Sequence, residues 1–253
     1  MSLTVLANPL PMESLRIASF KAFSQFNKRL PASVVASHYG LDLRLADRFF
    51  AGDSLHCKIV RSLAEDVSLP IKEVVESFEV FQVVRRDLRS PIIADLCCGH
   101  GLVGMLLAVF ERRIETVHLC DARFPQSSAK CLQAIEKVAP WIQGRVHHHA
   151  GKLKDVGGEV PFTSALATHA CGNLTDKCLE LAIERRCPIA VTPCCYSRRT
   201  SLAPPVLVRE LGLDTASDAA RTCRLEGEGY LVKWKYIPEV ISPMNRVIVA
   251  IAS

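Results

Sequence analysis

Apolar residues recur at helical intervals in the first third of the chain. The pattern covers residues 12–30, 42–51 and 68–90, and Gly40 and Gly52 are the only glycines before residue 90. A period near 3.6 residues places apolar side chains along one face of a helix. The spacing therefore predicts a helical N-terminal module over residues 1–88.

Beyond residue 90, short apolar runs alternate with amphipathic stretches. Strand-like runs occupy residues 91–98, 115–123, 144–151, 162–172, 187–196, 230–238 and 245–253. Helix-like stretches follow the first, second, fourth and fifth of these runs. This alternation is typical of βαβ units. Only six residues separate the last two strands, too few for a parallel crossover, so these strands should pair antiparallel or lie apart.

Composition limits the class of protein. Hydrophobic residues make up 49% of the 253-residue chain, and no apolar run approaches the ~20 residues that span a bilayer. The start of the chain lacks the pattern of a signal peptide. Eleven cysteines, an odd number with two adjacent pairs, predict an intracellular, reducing compartment. Cytoplasm, organelle and nucleus stay open, and we expect no membrane partner.

The stretch DLCCGHGLVG, from Asp95 to Gly104, follows the first predicted strand. Small residues at Cys97, Gly99 and Gly101 allow a sharp turn and a close approach of a ligand to the backbone. The helix after the turn offers free N–H groups to a polar ligand. By itself the stretch allows a cofactor loop, a metal-binding cysteine pair or a plain turn.

An acidic residue at the end of the second predicted strand favours the cofactor loop. Asp121 lies 20 residues after Gly101. A carboxylate at this spacing accepts hydrogen bonds from ribose hydroxyls in nucleotide-binding α/β folds. Its alternative role is to cap the next helix.

Five motifs together carry a resemblance to a known family. DLCCGHGLVG and HLCDAR resemble motifs one and two of class I S-adenosylmethionine-dependent methyltransferases. THACGNLTD, TPCCY and ISPMNRVIVA resemble strand ends and the closing strand of a methyltransferase group that includes a tRNA ribose 2′-O-methyltransferase family. The resemblance covers residues 90–253 and does not include the helical module.

The resemblance implies a fold and a cofactor. The fold would be α/β, a Rossmann-like, doubly wound, seven-stranded, mostly parallel sheet with an antiparallel last strand over residues 89–253. The cofactor would be S-adenosylmethionine. Its expected binding residues are Asp95, Cys97, Gly99, Gly101, Asp121, Ala170 and Cys171. Cys97 stands in a glycine position of the family motif, and we expect the loop to accept it provided that its backbone is not left-handed.

Two residues are predicted for the side of the site that binds the methyl acceptor. His169, after the fourth strand, is the expected base or substrate-orienting residue, and Tyr196, after the fifth, is expected to line the acceptor pocket. Their alternatives are a buried histidine bonded to backbone and an ordinary boundary aromatic. RNA is a candidate acceptor, with protein and small molecules left open, and the oligomeric state is not predicted.

The remaining alternatives concern metals and function. We expect no metal site, because adjacent cysteines tend to point apart and C-x₂-C spacing is missing. A non-catalytic S-adenosylmethionine-binding scaffold, or a subunit of a methyltransferase complex, is the second reading. A nicotinamide-dependent oxidoreductase is the third.

Overall fold

Seven strands form one sheet in the computed structural model, which describes residues 18–29 and 31–252. The strands are β1 (Ile92–Leu96), β2 (Thr116–Asp121), β3 (Val146–Ala150), β4 (Ser164–Thr168), β5 (Ile189–Thr192), β6 (Tyr230–Tyr236) and β7 (Arg246–Ala252). Their order is β3-β2-β1-β4-β5-β7-β6. β1 to β5 run parallel, and β7 is antiparallel to both β5 and β6. The predicted fold class is confirmed, including the antiparallel last strand.

The order of the strands brings the ends of β1 and β4 together at the centre of the sheet. β1 pairs with β2 on one side and with β4 on the other, so the chain changes direction between β1 and β4. In an open α/β sheet, ligands bind beyond the carboxyl ends of the strands at such a switch point. The loops after β1, β2, β4 and β5 are therefore the ones to examine.

Ten α-helices surround the sheet in the described part of the chain. They are α1 (Ala32–Val35), α2 (Leu43–Phe49), α3 (Leu55–Asp66), α4 (Ile71–Val84), α5 (Leu102–Phe110), α6 (Gln126–Val138), α7 (Leu153–Glu159), α8 (Leu174–Arg185), α9 (Pro205–Leu211) and α10 (Leu213–Gly227). None of these described helices is long and apolar enough to cross a membrane.

The helix predicted over residues 12–30 is wrong where the structure describes it. Residues 18–23 are not helical, and only one 3₁₀ turn follows, at Ser24–Asn27; the part before residue 18 lies outside the described residues. Three consecutive backbone N–H groups, of residues 21–23, donate to the carboxylate of Glu79 at 2.8 to 3.4 Å. Glu79 is fully buried on α4, so this tertiary contact overrides the helical spacing of the phenylalanines.

The helices before residue 88 share their core with the sheet domain. α3 packs against α6, and α4 packs against α5. Phe78 of α4 is fully buried in the same apolar cluster as Met105 of α5 and Ile135 of α6. Burying a side chain of this size contributes roughly 1.5–3 kcal/mol. The predicted boundary at residue 88 thus lies inside one continuous core, although the division into two domains stays a prediction.

Candidate functional site

A buried carboxylate lies at the end of β1. Asp95 is 2% exposed, and its Oδ2 accepts a hydrogen bond from the backbone N–H of Gly104 at 3.0 Å. Its Oδ1 has no hydrogen-bond partner among the described residues. Burial, more than the nearby Asp121, raises the pKa of Asp95 to about 7. An unpaired, buried acceptor on a cavity wall is a place for a ligand donor.

Gly104 completes a G-x-G-x-x-G spacing with Gly99 and Gly101 that the sequence analysis missed. A Cβ at Gly104 would lie 2.9 Å from Asp95 Oδ2, and one at Gly101 would lie 2.7 Å from the side chain of Leu119. The glycines therefore let α5 start close against β1 and β2. Gly101 caps α5 with a φ of 73° and supports the turn, but it lines neither of the cavities described below.

Cys97 does not meet the condition that the sequence analysis set for it. Its φ is 55°, in the left-handed region, where a residue with a Cβ costs about 1–2 kcal/mol more than glycine. The loop forms nonetheless, and the Cys97 thiol hydrogen-bonds with the buried thiol of Cys178. Strained backbone of this kind persists where the surroundings hold it, and it concentrates at ligand sites.

Asp121 ties the loop after β1 to the end of β2. Its Oδ2 accepts the backbone N–H of Gly99 at 2.9 Å, and its Oδ1 accepts the N–H of Arg123 at 3.1 Å. A carboxylate has about four lone-pair positions, so each oxygen can accept one bond more. Asp121 also lines a cleft of about 320 Å³ whose apolar wall includes Leu153 and Val156.

His169 lies at the end of β4 in a strained conformation, with a φ of 61°. Its ring Nε2 is 3.3 Å from Glu76 Oε1 on α4. The Glu76 side chain is 4% exposed, and its Oε1 makes no hydrogen bond within the described chain. A histidine with a buried carboxylate beside it resembles the oriented pairs that move protons in enzymes.

Helix α4 supplies three polar side chains that the sequence analysis did not assign to the site. Glu73, Glu76 and Ser77 line a cavity of about 540 Å³ together with the loop after β1. Glu73 Oε2 is 3.6 Å from Nε2 of His100, and burial lowers the pKa of His100 to about 4, so that its ring is neutral at pH 7. The sequence of α4 contained a signal for this role. A helix that is apolar on all sides is buried, and glutamates on such a helix need polar partners.

The structure brings most predicted site residues together. Asp95, Cys97, Gly99 and His169 line the larger cavity. Cys97, Asp121, His169, Ala170 and Cys171 line the smaller cleft. The two spaces therefore share Cys97 and His169 as lining residues and lie side by side at the carboxyl ends of the strands. We refer to the two adjoining spaces together as the groove.

Tyr196 lies apart from these residues. Its hydroxyl donates to Asp218 Oδ2 at 2.7 Å, and it lines neither cavity of the groove. Asp218 is fully buried and also accepts bonds from Arg221 and Arg246 at 2.9 and 2.7 Å. Burial and the neighbouring carboxylate raise the pKa of Tyr196 above that of a free phenol. The structure thus shows a bracing contact for Tyr196, and its catalytic role stays a prediction.

The cysteines after β5 are arranged differently from the expectation. Cys194 and Cys195 do not point apart, because their Sγ atoms are 3.5 Å from each other. Alternation of side chains holds only inside a strand, and β5 ends at Thr192. The Sγ of Cys171, from the loop after β4, is 3.2 Å from that of Cys194.

Comparison with known proteins identifies the family. A family model described as a methyltransferase domain matches residues 58–200, more than half of the chain. A Xenopus laevis glutathione S-transferase C-terminal domain-containing protein is 28% identical over 107 residues, which are 41% of this chain and 16% of that protein. The chain thus spans less than a fifth of that relative.

Similar solved structures include three proteins of low sequence identity. An O-methyltransferase family protein from Burkholderia thailandensis is 13% identical, with 90% of this chain and 69% of that chain covered and a TM-score of 0.45. The fibrillarin pre-rRNA processing protein of Methanococcus jannaschii is 14% identical, covering 65% and 67%, with a TM-score of 0.44. The M1A22 tRNA methyltransferase of B. subtilis is 13% identical, covering 68% and 65%, with a TM-score of 0.46.

Proposed function

The chain belongs to this methyltransferase-domain family, and from that premise we propose that it transfers a methyl group from S-adenosylmethionine to an acceptor. The observation that carries the proposal is the groove of two adjoining spaces, because its two parts offer different chemistry. The part at Asp121 offers acceptors for hydroxyl groups beside an apolar wall, and the part at Asp95 offers a buried carboxylate.

The nucleoside end fits the smaller cleft. Each oxygen of Asp121 already accepts one backbone N–H and keeps room for a ribose hydroxyl. Ala170 and Cys171 face the same cleft, and the apolar side chains of Leu153 and Val156 suit the flat face of adenine. The loop residues Cys97 and Gly99 turn between the two ends of the cofactor.

The methionine end fits the larger cavity. Its ammonium group can donate to the free Oδ1 of Asp95, and its carboxylate has Lys72 on the same wall. Carboxylates at Asp95, Glu73 and Glu76 also make the cavity favourable for a cationic ligand. When bound, S-adenosylmethionine supplies the methyl group through its sulfonium sulfur.

His169 and Glu76 serve the acceptor in this proposal. His169 is shared by both parts of the groove and therefore lies near the junction of the cofactor's two ends. We assign His169 to accept the proton of the acceptor nucleophile, or to orient that nucleophile, as its lone pair attacks the methyl carbon. Glu76 is a positioning residue in this assignment, because its buried carboxylate oxygen lies 3.3 Å from Nε2 of the imidazole.

RNA is the acceptor class that we carry forward. Basic side chains border the carboxyl ends of the strands: Lys72 lines the larger cavity, Lys152 follows β3, and the exposed Arg198 and Arg199 follow β5. Phosphate contacts from such residues position RNA without reading its sequence.

The test is transfer of tritiated methyl from S-adenosylmethionine to a pool of unmodified tRNA transcripts. We expect incorporation into RNA that His169→Ala reduces by about 10²-fold or more. Incorporation only into protein or small molecules contradicts the RNA acceptor. Binding of the cofactor without transfer to any fraction of a cell extract contradicts the enzyme and favours the scaffold reading.

A further inference from the structure

Three thiols converge from two neighbouring loops at the edge of the groove. Cys171 belongs to the loop after β4, and Cys194 and Cys195 belong to the loop after β5. The last residues of these strands, Thr168 and Thr192, are paired in register, so both loops leave the sheet at the same point. The backbone N–H of His169 donates to the carbonyl of Thr192 at 3.1 Å and fixes the loops to each other.

The distances between the sulfur atoms match those around a tetrahedral zinc ion. A Zn–S bond of about 2.3 Å places two thiolate sulfurs about 3.8 Å apart. The Sγ atoms of Cys171 and Cys194 are 3.2 Å apart, those of Cys194 and Cys195 are 3.5 Å apart, and all three lie within 4.8 Å of one another. The first two pairs would each have to move apart by about half an ångström or less to reach the distance that zinc sets.

We propose that Cys171, Cys194 and Cys195 bind one zinc ion and leave its fourth position open. The described residues add no further histidine, cysteine or carboxylate to the group. Three protein ligands with one open position are typical of zinc sites that bind water or substrate. Cys194 lines the larger cavity and Cys171 the smaller cleft, so the open position adjoins the groove. Binding releases the three thiol protons to solvent.

Thiolate ligands select zinc over magnesium and calcium. Sulfur is a soft ligand, whereas Mg²⁺ and Ca²⁺ take oxygen ligands. The site differs from the adjacent pair Cys97 and Cys98, which is not part of the cluster. Its ligands do not include Asp95 or Asp121, so that metal binding can be measured without the methyl donor.

The experiment uses the full chain, prepared with reductant and without oxygen, and loaded with zinc or cobalt. We expect one zinc ion per chain by elemental mass spectrometry and a sulfur-to-cobalt charge-transfer band in the cobalt form. Cys171→Ser, Cys194→Ser and Cys195→Ser should each weaken zinc affinity by more than about tenfold, because even indirect changes around a zinc site cost about 10–100-fold. Cys223→Ser is the matched control, since Cys223 is exposed on α10 and outside the cluster.

Circular dichroism shows whether each variant keeps its fold, and any two well-folded serine variants suffice for the comparison. Absence of the charge-transfer band in the reduced wild-type chain overturns the proposal. An unchanged zinc affinity in the Cys194→Ser variant also overturns it. A disulfide between Cys171 and Cys194 in protein prepared with reductant and zinc has the same effect, because it would assign these thiols to redox chemistry.

Discussion

Asp95 lies in an environment very different from that of an ordinary surface carboxylate. It is buried, it uses one oxygen to hold Gly104, and its pKa is raised to about 7. Since burial disfavours the charged form, Asp95 is partly protonated near neutral pH before a ligand binds. A cationic donor from the methionine end would stabilise the carboxylate, so cofactor binding should be linked to ionisation of this group.

The first prediction concerns the pH dependence of product binding. Below about pH 7 Asp95 is protonated, and binding of an ammonium group must release that proton. Affinity for S-adenosylhomocysteine should therefore fall by up to about tenfold for each pH unit below 7 and level off above it. Methylthioadenosine lacks the amino acid part, so its affinity should stay nearly constant.

Calorimetry between about pH 6 and pH 8 makes this comparison, with Asp95→Asn as the variant that should remove the pH dependence. Equal pH dependence for the two ligands, or a dependence that survives in Asp95→Asn, would show that another group is responsible.

Two residues of the site, Cys97 and His169, carry left-handed backbone without being glycine. A sequence pattern cannot reveal this, because the conformation follows from how the loops are held at both ends. Such residues cost folding free energy and are kept where geometry matters for function. Cys97 and His169 line both parts of the groove.

At the scale of elements, α4 joins the first part of the chain to the site. Glu76 reaches His169 from this helix, and Glu79, one turn further on, holds the segment at residues 21–23. The helical pattern over residues 68–90 predicted this helix, which the structure has at Ile71–Val84. Its link to the site could not be predicted, because nothing local to residues 71–84 shows which loops they contact.

Glu76→Gln should lower methyl transfer to RNA by roughly 10–100-fold while affinity for S-adenosylhomocysteine stays within about threefold. The reason is that the neutral amide removes the negative charge of the carboxylate that lies 3.3 Å from the His169 imidazole. The double variant Glu76→Gln/His169→Ala should be no slower than His169→Ala alone, since both changes act through one group.

The control is Glu65→Gln, a change in an exposed glutamate of α3 that should leave transfer unchanged. If affinity for S-adenosylhomocysteine fell by as large a factor as methyl transfer, Glu76 would be assigned to cofactor binding instead.

The other elements differ in whether the local sequence or distant contacts determine their conformation. β1, β2, β4 and β5 are short, largely apolar and buried runs, and a run of this kind predicts a strand without any tertiary information. The segment around Phe20, Phe23 and Phe26 has helical spacing but folds around Glu79 and pairs Asn27 with the backbone of Phe20. Long-range contacts decided that segment, as they decided the meeting of the cysteines in the loops after β4 and β5.

At the scale of the whole molecule, the groove belongs to both parts of the chain. The sheet provides Asp95, Asp121 and His169, and the preceding helices provide Glu73 and Glu76. A fragment limited to residues 89–253 would lose one wall of the larger cavity and part of the shared core. The family match beginning at residue 58 agrees with this, since it includes α4.

Isothermal titration calorimetry with S-adenosylhomocysteine tests the central claim, a cofactor site formed by the ends of β1 and β2, most directly. We expect one site per chain in the wild type and a loss of about 100-fold in affinity in Asp121→Ala, because two hydrogen bonds to a charged group are removed. Glu115→Ala, which changes an exposed carboxylate just before β2, should bind as the wild type does. Melting temperatures show that the variants are folded. No binding to the wild type at millimolar ligand, or equal affinities of Asp121→Ala and Glu115→Ala, would contradict the account.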